Sequence, residues 1–180
     1  RVLIAGVVLA ILVLLWRHRD IAGSHDFWTH VIRLIHVWTG VLWIGLLYYF
    51  NFVQIPSMPK IPDEQKPAIG KVIAPTALFF FRWAAAGTVL FGLLTALMSG
   101  YLVEALTFQL PTIGLGMWLA LIMAFNVWFV IWPNQKKALG IVPADADAKK
   151  AAARIGMIAS RLNTLLSIPM LYCMVLNKAG

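Results

Sequence analysis

His36 lies inside an apolar segment, with Arg33 three residues before it and Gly40 four residues after it. These spacings place the three residues on one face of a helix. Ionisable side chains within a membrane helix are costly and by default indicate a buried functional site. The imidazole is a ligand for haem iron, the glycine leaves room for a flat ring beside it, and the guanidinium pairs with a propionate. The pattern predicts haem b bound here with His36 as metal ligand; a hydrogen bond from His36 to another helix is the alternative interpretation.

The second axial ligand of such a haem is not supplied by the nearest histidine. His30 lies six residues before His36, about 120° around the helix, so the two cannot bind one iron from the same side. No histidine follows His36 in the sequence. The remaining sources are His18 or His25 in the first connection, another chain, or a methionine.

The last apolar segment offers two methionines on a polar helical face. Steps of three and four residues along it connect Ser160, Asn163, Ser167, Met170 and Met174. Because polar residues in membrane helices face the bundle interior, Met170 and Met174 are expected to point inward and are candidates for a His/Met pair. Methionine is also a common filler of apolar cores, which is the alternative interpretation.

Two further polar residues lie in or at the edge of apolar segments, Arg82 and Asn126. We consider Arg82 a candidate site for a substrate or another anion, although a long cationic side chain also reaches the membrane interface by snorkelling. Asn126 is a candidate for the same site, and its alternative role is an interhelical hydrogen bond worth about 1 kcal/mol.

Small residues recur at four-residue steps in the third apolar segment, at Ala84, Thr88, Gly92, Ala96 and Gly100. This spacing is typical of helices whose backbones approach closely. It predicts a helix-packing face, whether the neighbouring helix belongs to the same chain or to another membrane subunit.

Composition places these residues in a membrane protein. Of the 180 residues, 61% are hydrophobic and 12% are charged, against about 25% charged in ordinary soluble domains. The apolar segments match the length of membrane-spanning helices, and lipid offers the backbone no hydrogen-bond partners, so we predict a single all-α domain over residues 1–180, a polytopic membrane helix bundle. About five transmembrane helices are expected, at residues 2–16, 28–53, 77–98, 112–132 and 158–176. The first is short, which we ascribe to residues preceding Arg1.

The two long connections between these segments are expected to differ. Residues 54–75 contain five prolines and predict a broken surface segment that is at most partly helical. Residues 133–156 begin with Pro133, which is expected to end the preceding helix. The run at 144–154, rich in alanine and charged residues, is typical of a short solvated helix.

The net charge of +8 indicates membrane orientation rather than binding to nucleic acid, because no basic stripe alternates with aromatic residues. Nine Lys and Arg residues fall on the side that holds Arg1 and the two long connections, and three fall on the other side. The positive-inside rule then predicts a cytoplasmic N-terminus and a periplasmic C-terminus. Cys173 is the single cysteine, which excludes an internal disulfide and a CxxCH haem attachment.

Three stretches carry a family resemblance: residues 36–51 (HVWTGVLWIGLLYYFN), 81–83 (FRW) and 125–137 (FNVWFVIWPNQKK). Together they resemble the membrane-spanning N-terminal domain of the bacterial cytochrome-linked urate oxidase (urate hydroxylase), over residues 27–176. The first stretch is also similar to the opening helix of haem-associated membrane families of the copper-resistance and protoporphyrinogen-oxidase types, which supports haem at His36.

The resemblance implies a location in the bacterial inner membrane and a role in urate oxidation. In that family a C-terminal c-type cytochrome domain is joined to the membrane domain, whereas this chain has no CxxCH, so a separate periplasmic c-type cytochrome is the expected electron acceptor. Two functions therefore stand side by side: a redox protein with haem b at His36, and a non-catalytic accessory subunit of a larger respiratory or photosynthetic complex.

Overall fold

The computed structural model describes residues 1–176, and every regular element in this part of the chain is helical. We number the helices along the chain. Their bounds are α1 Val2–Arg17, α2 His25–Lys60, α3 Lys66–Met98, α4 Leu102–Leu106, α5 Pro111–Ala138 and α6 Ala146–Val175.

Four of these helices, α2, α3, α5 and α6, are long and apolar enough to cross a membrane. The first predicted span, residues 2–16, corresponds to α1, which is apolar but has only 16 residues and buries none of its side chains. The prediction of a multi-pass, all-α membrane bundle is confirmed, and a lipid bilayer is its environment because the outer faces of the long helices expose large aliphatic and aromatic side chains.

Three of the long helices each contain a π-helical stretch that ends two residues before a proline. The stretches are Tyr49–Gln54, Ile69–Ile73 and Asn126–Ile131, and the prolines are Pro56, Pro75 and Pro133. A proline lacks an N–H and its ring clashes with the carbonyl four residues earlier. The π turn moves the hydrogen bond to the fifth residue, as between the Trp132 N–H and the Val127 carbonyl, so the helix continues.

This accommodation corrects two expectations about the connections. Pro133 does not end its helix, since α5 runs on to Ala138. Residues 54–75 are helical except at 61–65, and they extend α2 and α3 rather than forming a broken segment. The run at 144–154 is helical from Ala146 onward and is continuous with the last span. The Asp145 side chain caps this helix by accepting a hydrogen bond from the Ala148 N–H.

The connection between α3 and α5 turns tightly around the short helix α4. Gly100 has a φ of +76°, which non-glycine residues adopt only with strain. It lies beyond the end of α3 at Met98, so the expectation that it shares the packing face of that helix does not hold. A Cβ at Gly114 would lie 2.2 Å from the Ala105 carbonyl oxygen, so only glycine lets α5 approach α4 this closely.

The bundle core is built by two helix pairs, α2 with α3 and α5 with α6. Its largest fully buried side chains include Trp43 and Leu47 on α2, Phe81 on α3 and Met123 on α5. Interdigitation of these side chains holds the four long helices around an interior that contains two cavities.

Candidate functional site

A central cavity of about 610 Å³ lies between α2, α3, α5 and α6. This volume is within the range of about 300–1,000 Å³ found for ligand pockets. Most of its wall is aliphatic. Five residues predicted from the sequence to hold haem all line it: Arg33, His36, Gly40, Met170 and Met174.

His36 is oriented by a hydrogen bond to the neighbouring helix. Its Nδ1 lies 2.8 Å from the Thr88 carbonyl oxygen on α3. A carbonyl only accepts, so Nδ1 carries the proton and donates it. The Nε2 atom of this neutral tautomer therefore keeps its lone pair, which is the arrangement seen in histidines that bind metals through Nε2.

The imidazole of His36 lies against Gly92 on α3. A Cβ at Gly92 would approach His36 Cε1 to 2.8 Å and Nδ1 to 2.9 Å. A side chain at this position would push the ring away from the Thr88 carbonyl. Gly92 thus provides the surface on which the ring rests, a role that the small-residue spacing alone does not distinguish from plain helix packing.

Gly40 forms a different kind of contact. A Cβ there would meet only the Thr88 Cγ2 atom, at 3.7 Å, an ordinary van der Waals distance. Since Gly40 also lines the cavity, larger side chains at this position would extend into the cavity rather than into the protein.

The methionines of α6 contribute thioethers to the cavity wall. Met170 is 5% exposed and lines the cavity together with Met174. Met117 on α5 also lines it, and no sequence pattern singles this residue out because it stands in a continuous apolar run.

Tyr101 is a second residue that sequence reasoning missed. It follows α3 and lines the cavity together with Arg33. Burial raises the pKa of the Tyr101 phenol, and the positive charge of Arg33 acts in the opposite direction. The phenol therefore stays protonated at neutral pH and is a hydrogen-bond donor beside the guanidinium.

The other histidines of the chain do not line this cavity. His30 Nδ1 lies 2.6 Å from the Asp26 carbonyl oxygen, and its ring packs on that of His18 with centroids 5.0 Å apart. His25 begins α2, beside Asp26. Among the described residues, methionines and not these histidines share the cavity with His36.

Arg82 and Asn126 lie away from the central cavity. The Arg82 guanidinium stacks 3.6 Å from the ring centroid of Trp132, and it donates to the Leu78 carbonyl of its own helix. Asn126 Nδ2 donates to Asn163 Oδ1 at 3.0 Å. The structure therefore separates these two residues from the site rather than joining them into an anion pocket.

The small-residue face of α3 points into the chain itself. Ala84, Thr88 and Ala96 are buried in the bundle, and Gly92 rests against His36. The neighbour of this face is largely α2. An intermolecular role for the face is thus not needed to explain its spacing.

A second, smaller cavity of about 280 Å³ lies in the other half of the bundle. It is lined by the π-helical part of α2, the start of α3, the end of α5 and the first half of α6. Its polar lining residues are Gln54, Gln135 and Ser160. Lys136 and Lys137 follow Gln135 on α5, so we call this half the lysine-rich half.

Fold and cavity together define a multi-pass membrane helix bundle with a mostly apolar central cavity. Compared with known families, residues 83–180 match the model described as urate oxidase N-terminal, and the chain belongs to this family. The match begins within α3, so it includes Thr88 and Gly92 but not the His36 face of α2. No curated protein and no solved structure matches the chain.

Proposed function

We propose that this chain is a redox component of the membrane that binds haem b in the central cavity, with His36 Nε2 as an axial ligand. The observation that carries the proposal is the geometry of His36. Its Nδ1 is tied to a backbone carbonyl, and its ring lies in the wall of a cavity large enough for a cofactor. Bound haem would supply one-electron chemistry at this place.

The residues around His36 fit such a group by their chemistry. Arg33 and Tyr101 form a polar end at which propionate carboxylates can be held by a guanidinium and a phenol. Aliphatic side chains form the remaining wall, which suits an apolar ring. Met170 and Met174, with Met117, are the thioethers available as a second axial ligand.

The location of the cavity suits electron exchange on one side of the membrane. It lies in the half of the bundle away from the lysine-rich half. With the N-terminus in the cytoplasm, this half faces the periplasm of a bacterial inner membrane. A periplasmic c-type cytochrome is then the proposed electron acceptor, and the family suggests urate as the reductant.

The test is the visible spectrum of the purified chain, oxidised and reduced with dithionite. We expect a Soret band and a reduced α-band of b type, with haem b recovered in the pyridine haemochrome assay. In His36→Ala these bands disappear because the proposed iron ligand is gone, while far-ultraviolet circular dichroism stays that of a helical bundle.

His30→Ala is the matched control, because His30 lies on the same helix but does not line the cavity. It should retain the wild-type spectrum. A wild-type protein that stays colourless after expression with added haem precursor and after haem titration would refute the proposal.

An accessory subunit of a larger membrane complex is the second candidate function. It is favoured by α1, none of whose residues is buried against the rest of the described chain. Removal of residues 1–17 should then release the chain from a complex on a native gel. The same deletion should leave the haem spectrum unchanged if the first proposal is correct, since α1 does not contribute to the cavity.

A further inference from the structure

Buried polar atoms without a hydrogen-bond partner concentrate on one helix. In the part of the chain that the structure describes there are four such side-chain atoms, and three belong to α2: Trp43 Nε1, Asn51 Oδ1 and Gln54 Oε1. The helical period turns these three residues toward the same side. Trp43 is fully buried, so its indole N–H has no access to bulk solvent.

The facing side of α6 is also polar. Ser160, Asn163 and Ser167 are buried there. Asn51 Nδ2 donates to Ser160 Oγ at 2.8 Å, and the hydroxyl groups of Tyr48 and Ser167 are 2.9 Å apart. We call this strip between the two helices the polar seam; it comprises Trp43, Tyr48, Asn51 and Gln54 of α2 and Ser160 and Ser167 of α6.

The polar seam runs from one cavity to the other. Trp43 lines the central cavity, whereas Gln54 and Ser160 line the second cavity in the lysine-rich half. The distance from Trp43 to Gln54 along the helix is about 16 Å at a rise of 1.5 Å per residue. A strip of this length, with a cavity at each end, spans much of the bundle interior.

Unpartnered polar atoms at membrane depth need an explanation, because lipid supplies no substitute for the missing hydrogen bonds. Water is the ordinary partner of such atoms where the surroundings are polar and there is room nearby. Around Asn51 and Gln54 the surroundings include the Ser160 hydroxyl and the Gln135 amide, and room exists at both ends of the strip. Small shifts of the Asn51 and Gln54 side chains would open their oxygens to water.

We infer that the polar seam is hydrated and forms a path for water and protons from the lysine-rich half to the His36 cavity. Hydroxyls, amides and ordered water provide donors and acceptors in alternation, so a proton is handed along without any net chemical change in the chain. The use of this path to balance charge when an electron enters the cavity rests on the proposed function. Hydration of the seam does not.

The experiment measures hydrogen–deuterium exchange at the Trp43 indole. Full-length protein labelled with ¹⁵N-tryptophan is placed in lipid nanodiscs, and the Trp43 indole signal is assigned by its loss in Trp43→Phe. After transfer to D₂O, a hydrated seam lets this buried N–H exchange within minutes, while the backbone amide of Trp43 stays protected in the helix.

A double variant and a control test whether the polar side chains of the seam determine the exchange rate of the Trp43 indole. Asn51→Leu combined with Gln54→Met removes two polar oxygens of the seam at nearly constant volume and should slow exchange of the Trp43 indole by about tenfold or more. Thr29→Val is the matched control, because the Thr29 hydroxyl is also on α2 but bonds only to the His25 carbonyl. It should leave the exchange rate unchanged.

Two outcomes overturn the inference. Protection of the wild-type Trp43 indole for hours shows a dry seam, and this measurement needs no variant to fold. Equal exchange rates for the indole and the backbone amide show that the helix opens as a whole. The measurement uses protein without added haem, so a colourless chain with a rapidly exchanging indole would refute the proposed function alone.

Discussion

Two regions of the bundle use polar residues in opposite ways: the surroundings of His36, and the contact between α5 and α6 at Asn163. Around His36, one ring nitrogen is fixed by Thr88 and the other keeps its lone pair beside a large cavity. At the contact between α5 and α6, both polar groups of the Asn163 side chain have partners, which are the Asn126 side chain and the Met123 carbonyl. The first arrangement leaves bonding capacity for a ligand, whereas the second uses it to hold α5 and α6 together.

The largest expected effect comes from moving the His36 ring. In Gly92→Ala the new Cβ falls within 2.9 Å of His36 Nδ1, so the ring must rotate and lose its hydrogen bond to Thr88. Loss of such an orienting bond typically weakens metal-ligand affinity about 10- to 100-fold. We expect this loss in a haem titration followed at the Soret band.

Gly40→Ala is the matched control for this change. Its Cβ meets only Thr88 Cγ2 at 3.7 Å, and alanine is favoured over glycine in a helix by about 0.5–1 kcal/mol. The thermal midpoint should stay level or rise, with a smaller loss of haem affinity than in Gly92→Ala. Equal affinities in wild type and Gly92→Ala would show that the His36–Thr88 bond does not prepare a ligand site.

A smaller effect is expected from breaking the satisfied network. Asn163→Leu removes the hydrogen bonds to Asn126 and to the Met123 carbonyl. Interhelical hydrogen bonds in membranes contribute about 0.6 kcal/mol each on average, with a maximum near 1.7. The free energy of unfolding should fall by about 1–2 kcal/mol, measured by denaturant titration in mixed micelles.

Thr164→Val provides the comparison for that loss, because the Thr164 hydroxyl on the same helix bonds only to the Ser160 carbonyl one turn earlier. Its unfolding free energy should remain within about 0.5 kcal/mol of the wild type. If both variants unfold alike, Asn163 does not join α5 to α6 energetically and the contrast between the His36 and Asn163 regions is lost.

The sequence was most informative where residue spacing alone determines a helical face. One cavity is lined both by the α2 face of Arg33, His36 and Gly40 and by the methionines of the last span. The length of each apolar segment predicts a helix, and the helical period of 3.6 residues predicts which side chains share a face. Which atoms meet across helices depends on helix rotation and separation. The contact of Gly92 with His36 and the placement of Tyr101 therefore required the structure.

The sequence misled at prolines and at isolated polar residues, for related reasons. Pro133 is a helix breaker by local rules, but a π turn absorbs it when the surrounding bundle favours a continuous helix. Arg82 carries a charge that suggests an anion, whereas the structure places its guanidinium on the Trp132 ring and outside the lining of the central cavity. The contact of Arg82 depends on a residue that is distant in sequence, and the helix at Pro133 depends on backbone geometry. Neither can be predicted from local residue types.

The smallest expected effect concerns a charged pair in the exposed turn between α2 and α3. Lys66 Nζ donates to Asp63 Oδ1 at 2.5 Å, and this hydrogen bond with the lysine charge holds the pKa of the Asp63 carboxyl below its usual range. A depressed carboxyl pKa favours the folded state above the unfolded value of about 3.9 and ceases to do so as the pH falls through the folded value. Between pH 7 and pH 5 the carboxylate stays ionised. The difference in thermal midpoint between Asp63→Asn and the wild type should therefore stay constant throughout this range. Carboxyl chemical shifts from a ¹³C NMR titration should place the Asp63 pKa below that of the same group in Lys66→Ala; coincident titration curves would mean that this exposed pair does not persist in solution.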